Sequence, residues 1–169
     1  MQLESRGSFV GICTSFTSSA QTTLNIFVKP ELEETSNTGT YQSPFGHIAK
    51  ALSYADEYAA DKGSTIINIY LLGGGTHYMT RSLSHYNYAK TKSNQISYNQ
   101  DITIQPAFCG QTLGGHSFTD GDADCIDVSS KITVHYKMGN SYRFTVPKSM
   151  TVKSIIFDAI DSSIDPTDL

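Results

Sequence analysis

The 169-residue chain has no tryptophan, three cysteines and only 17% charged residues. Each scarcity excludes something. Low charge argues against disorder of the highly charged kind. No run approaches the roughly 18 consecutive apolar residues of a membrane-crossing helix, so no membrane span is expected in this chain. The N-terminus, MQLESRGSFVGICTSF, lacks a cationic start followed by a continuous apolar segment, so no signal peptide is visible. The sequon N-x-[ST] does not occur, so glycosylation lends no support to secretion. No C-x-x-C pair exists, which weakens zinc and thioredoxin-like readings. The nucleophile elbow G-x-S-x-G, the zinc motif H-E-x-x-H and the phosphate loop G-x-x-x-x-G-K-[ST] are all missing. The run Gly73-Gly74-Gly75 precedes no helix, so it reads as a turn and not as a phosphate cradle. Net charge is −4, and the acidic excess lies in residues 101–169, where every acidic residue is Asp. Such a surface does not attract phosphate backbones, so nucleic acid is not an expected partner.

What is present suits strands and turns. Ser, Thr, Asn, Gly and ten Tyr fill the space left by charge, and that mixture predicts a mainly β chain. The length suffices for one domain with a core. Residues 1–38 read as a partly flexible leader and linker: 14–23 is polar, 24–28 is a short strand stopped by Pro30, and 31–40 is acidic and then polar. Residues 39–169 read as the folded part.

A helix is expected over 44–61. Ser43 is a good N-cap and Pro44 fits the first helical position. Phe45, Ile48, Leu52, Ala55 and Ala59 follow at steps of three and four, tracing one face, and Gly63 ends the run. Residues 64–72, STIINIYLL, are apolar almost throughout, the pattern of a strand covered on both faces. A short strand at 76–79 follows the glycine turn. Residues 82–99 read as loop. Further strands are expected at 101–108 and 151–160, the latter with Val152, Ile155 and Phe157 as core candidates. Residues 131–138 and 141–146, joined by Gly139-Asn140, read as an antiparallel hairpin. The strand starts near 132 and 151 stand about twenty residues apart, the length of one solenoid coil.

The segment from Ser43 through Pro44, Phe45, Ile48, Ala51, Leu52 and Ala55, then Ile69 to Leu72, Gly74 and Tyr78, resembles the N-terminal cap of the pectin-lyase-like superfamily. Residues 150–163 resemble a coil strand of that fold. The wording of 69–81 and 104–125 is also similar to large surface proteins of unicellular eukaryotes. The resemblance implies an incomplete right-handed parallel β-helix with one N-terminal capping α-helix. A solenoid needs at least three repeats and a far cap; this chain offers about two coils and is expected to be truncated. The function implied is a non-catalytic structural or carbohydrate-binding portion of an extracellular or cell-surface protein. Its partners would be polysaccharide or glycan and the remainder of a longer β-helix chain. The alternative is the start of a polysaccharide lyase or hydrolase whose catalytic coils lie beyond residue 169. Such lyases hold calcium with strand-borne Asp beside an Arg base; Asp158, Asp161 and Asp165 match only loosely, and no Arg follows Arg143. A third option is a module that stacks end to end through its unfinished coil.

Four sets of residues invite chemistry. Asp120, Asp122 and Asp124 alternate in DGDAD, a spacing that can converge on calcium; an EF-hand glycine and closing Glu are missing, and a solvated turn explains the same residues. His77 and Tyr78 follow the glycine turn and could line a surface groove. Tyr86 and Tyr88 lie in a polar segment, where a flat ring with a polar tip suits a sugar, although tyrosine is also ordinary sheet filler. Cys109 and Cys125 bracket a Gly- and Asp-rich loop, whose closure by a disulfide would remove about 3 kcal/mol of unfolded-chain entropy; two separate thiols are the other reading. No catalytic residue and no cofactor other than calcium is assigned.

Overall fold

A computed structural model describes residues 21–30, 37–62, 65–79, 100–137 and 149–160. Its elements are β1 (Thr22–Val28), α1 (Ile48–Lys62), β2 (Thr65–Leu71), β3 (His77–Tyr78), β4 (Gln100–Pro106), β5 (Thr112–Leu113), β6 (His116–Ser117), β7 (Ile132–Lys137), β8 (Ser149–Val152) and β9 (Ile155–Ile160). One sheet has the order β1-β2-β4-β8 and a second the order β3-β7-β9, and every pairing in both is parallel. The chain therefore lays a strand in the first sheet and then one in the second, three times over: β2 and β3, β4 and β7, β8 and β9.

Register explains the core. Ile26, Ile69, Ile104 and Val152 share one row, and Leu24, Ile67, Ile102 and Met150 the next. His77, Val134 and Phe157 form a row in the second sheet. Ile26, Ile67, Ile69, Ile102 and Ile104 join Ile132 and Val134 in one buried cluster, so these rows face one another. β-branched side chains stacked in parallel strands suit such an interior. The expectation that β2 is covered on both faces holds for its second half: Tyr70 and Leu72 are buried on the outer side, whereas Ile66 and Asn68 are half-buried.

The helix starts later than the sequence suggests. Phe45 bridges Val28, donating its N–H to the Phe27 carbonyl while its own carbonyl accepts from Lys29 N–H. Backbone committed to that ladder cannot open a helix, so Ser43 and Pro44 are not its cap and first residue. His47 takes the capping role, its Nδ1 accepting from Lys50 N–H at 3.1 Å. Of the expected stripe, Ile48 and Ala55 are buried, joined by Ala51; Leu52 is half-buried against the same cluster, Phe45 is buried but precedes the helix, and the side chain of Ala59 lies outside the described residues. Ala49 N–H also bonds the Met79 carbonyl beside β3. Thus α1 covers β1 and reaches β3, the outer strands of both sheets. β1 pairs with β2 over its whole length, so the break drawn at residue 38 does not separate it from the folded part.

Two strand expectations are corrected. β7 has the parallel strands β3 and β9 on its two sides in place of an antiparallel hairpin partner; residues 141–146 lie outside the described residues. The single strand expected over 151–160 is two. Ser154 sits at φ +53° between them, a conformation that bends the chain, and carries it from the first sheet to the second. The Lys153 N–H bonds Ile104 O and the Ser154 carbonyl accepts from Ile132 N–H, which ties this corner to the preceding pass.

Candidate functional site

Two polar clusters stand on the outside of the sheets. The first is the loop 109–127, which a disulfide between Cys109 and Cys125 closes as the spacing suggested. β5 and β6 form a small antiparallel hairpin in it. Phe118 and Cys125 pack with Phe27, Tyr70, Leu72 and Ala107 in a second apolar cluster on the outer face of the first sheet. Gly73 N–H bonds the Asp124 carbonyl, which fastens the loop to the end of β2.

The Asp residues of DGDAD divide their roles. Asp124 receives Lys29 Nζ at 2.7 Å on one oxygen and Tyr41 Oη at 3.2 Å on the other. Asp122 accepts from Asp124 N–H and meets His116 Nε2 at 3.4 Å. The backbone N–H of Asp124, followed by His116, holds the Asp122 carboxyl below its ordinary range. His116 stacks on Tyr41 with ring centroids 3.7 Å apart. Burial, then the Asp124 carboxylate, raises the Tyr41 phenol. Asp120 is exposed. Among the described residues no group of three His, Cys, Asp or Glu side chains is placed to hold a metal ion. Asp122 and Asp124 thus tie Lys29, Tyr41 and His116 together and clamp the loop to the residue after β1.

The second cluster is a row across β3, β7 and β9. Tyr78 pairs with His135 and His135 with Asp158, all on the face opposite Val134. His135 Nε2 lies 3.3 Å from Asp158 Oδ2, and the Tyr78 ring meets the imidazole edge to face at 5.7 Å. His135 Nδ1 is buried without a hydrogen-bond partner. The row offers a half-exposed aromatic edge, an imidazole and a carboxylate on a rigid sheet, a combination suited to a hydroxylated ligand.

His77 does not belong to that surface. It points into the core, fully buried, with Nε2 on the Leu72 carbonyl at 3.1 Å and Nδ1 without a hydrogen-bond partner. Burial pushes its imidazole down to about 4, only partly offset by the Leu72 carbonyl. The pairing of His77 and Tyr78 in one groove is thus corrected by strand alternation, which sends neighbours to opposite faces. Tyr86, Tyr88, Asp161 and Asp165 lie outside the described residues.

Sequence reasoning missed Lys29, Tyr41 and His116 as partners of the Asp loop, since Tyr41 and Asp124 are 83 positions apart and no local pattern links them. His135 and Asp158 were separately visible; the coil spacing between β7 and β9 was the signal that would have joined them. Among the described residues no helix is long and apolar enough to cross a membrane. Comparison with family models, with curated proteins and with solved structures finds no match.

Proposed function

We propose that this chain is a non-catalytic structural portion of a pectin-lyase-like β-helix, serving in an extracellular or surface protein and touching polysaccharide along its flank. The observation that carries the reading is the alternation of successive strands between two parallel sheets, each in chain order, with a helix across the outer strands at one end. The β1-α1-β2 crossover is expected to be right-handed, as parallel connections of this kind almost always are. The Cys109–Cys125 bridge supports an oxidising compartment. The row of Tyr78, His135 and Asp158 is the part of the flank best suited to sugar, with Tyr78 as the stacking surface.

Binding of the purified chain to a panel of neutral and acidic polysaccharides tests the proposal. The expected result is retention on at least one glycan, lost in Tyr78→Ala, with no cleavage of the polymer. Retention unchanged in Tyr78→Ala would move the contact elsewhere, and no retention on any glycan would remove the carbohydrate role. Appearance of unsaturated uronate ends, abolished by His135→Ala, would replace the structural reading with a lyase.

A further inference from the structure

The outer face of the second sheet carries more than the row of Tyr78, His135 and Asp158. Ile156 stands two positions before Asp158 on β9, so the two share that face, and Thr133 of β7 is its partner across the ladder. Ile156 is 49% exposed and the Asp158 side chain 58%, while Thr133 is half-buried. Together these side chains form a patch about 10 Å wide across the three strands. Tyr78 and Ile156 give it apolar surface at opposite corners, and Asp158 gives it an open hydrogen-bond acceptor.

The histidine between them decides the charge of the patch. His135 Nε2 lies 3.3 Å from Asp158 Oδ2, and its Nδ1 is buried with no hydrogen-bond partner among the described residues. An imidazolium carries a proton on both nitrogens. Its Nδ1–H would be a buried donor with nothing to accept it, which is costly. The neutral Nε2–H tautomer suits the site, because its N–H faces the carboxylate and only a lone pair is left inside. That tautomer has no lone pair to offer a substrate, which fits a binding surface and not a general base. Asp158 thus presents its negative charge beside a neutral ring. The next cation in register, Lys137, lies opposite Ile160 and beyond the row.

We propose that this patch selects neutral, hydroxyl-rich glycans and excludes polymers of uronic acid. The proposal rests on the carbohydrate reading above and narrows it. Sugar hydroxyls donate to the Asp158 carboxylate, a charge-assisted contact stronger than one between neutral groups. The C–H faces of the sugar lie on Tyr78 and Ile156. A uronate brought to the same place meets a like charge at close range.

Retention of the full chain on immobilised uronate polymers, and on the carboxyl-reduced form of each, tests the proposal, because each pair shares its linkage and differs in charge. At low salt, retention on at least one reduced polymer is expected to be about tenfold stronger than on its uronate parent, and added salt should narrow the gap. Asp158→Asn keeps an oxygen for His135 Nε2–H but removes the charge. It should weaken retention on the reduced polymer and shrink the gap to about twofold or less. Asp120→Asn, at an exposed position of the loop 109–127, makes the same change in net charge and should leave the gap as in the wild type. Ile156→Ser should weaken retention on both forms alike. Equal or stronger retention on the uronate parent, or a gap that Asp158→Asn leaves intact, overturns the selectivity while carbohydrate binding stands. A gap that Asp120→Asn closes equally well also overturns it, assigning the exclusion to net charge. No retention on either form of any polymer removes the carbohydrate role and this proposal with it.

Discussion

Lys29 Nζ stands 2.7 Å from Asp124 Oδ1, joining the residue just after β1 to the loop that Cys109 and Cys125 close. The same carboxylate takes the Tyr41 hydroxyl. This fixes an order of importance for the loop. The Lys29 side chain is 43% exposed, so the ion pair is screened and Lys29→Met costs about 1 kcal/mol or less. Asp124→Ala costs more, since Tyr41 loses its acceptor too. Replacing both Cys109 and Cys125 with Ser removes a cross-link spanning 16 positions, worth about 3 kcal/mol. Urea unfolding of the three variants should rank them in that order; a Lys29 variant as unstable as the cysteine pair would contradict it.

His77 gives the fold an acid sensitivity. Its imidazole is pushed down to about 4 by burial, against an ordinary value of 6.5. The unfolded chain therefore binds the proton more readily than the folded one. Stability is full above pH 6.5 and falls as pH drops toward 4, by about 1.4 kcal/mol per unit and about 3 kcal/mol in all. Asp122 and Asp127, whose carboxyls are lowered by neighbouring hydrogen-bond donors, stabilise above their ordinary 3.8 and lose that contribution only below it. Denaturant midpoints between pH 7 and 4 should fall in the wild type and flatten in His77→Gln. A slope unchanged in that variant would assign the sensitivity to other groups.

Much of the strand content was readable because the side chains doing the packing are also those that favour strands. Ile67, Ile69, Ile102 and Ile104 announce β2 and β4 without knowledge of the rest. The disulfide was legible because its two cysteines bracket one short loop, so their pairing needs no knowledge of the rest of the fold. What failed was decided by distant backbone. Nothing near Ser43 reveals that Phe45 will bridge Val28 and delay the helix to Ile48. Nothing in TVKSIIFDAI requires Ser154 to turn at positive φ, because the reason is the second sheet waiting beside β7. The placement of His77 failed through parity alone, one residue deciding between the core and the surface. The clamp around Asp124 was invisible since its side-chain partners Lys29 and Tyr41 come from stretches far from the loop.

Gly39 occupies a position that no other residue fills easily. Its φ is +76°, and a Cβ there would fall 2.5 Å from Phe45 Cε2. Phe45 is itself buried, so the ring has little room to withdraw. Gly39 also offers its carbonyl to Phe27 N–H and its N–H to the Ser43 carbonyl, which pins the backbone in place. Gly39→Ala should cost more than the roughly 1 kcal/mol by which alanine stabilises compatible sites, and the loss should be at least 2 kcal/mol with the clash included. Gly115→Ala is the control: it shares a positive φ, but a Cβ there meets nothing within 4 Å. Thermal unfolding of both should show Gly39→Ala as clearly the less stable.

The helix across β1 should tolerate no charge on the face it buries. Ala51 and Ala55 are both fully buried on the face that α1 turns to the core. A carboxylate at either place cannot be hydrated while the helix stays docked, and burying it unpaired costs several kcal/mol. Urea unfolding should therefore show Ala51→Asp and Ala55→Asp each destabilised by several kcal/mol, with no gain on adding salt. A variant as stable as the wild type would show that α1 does not hold these side chains against β1 and β2.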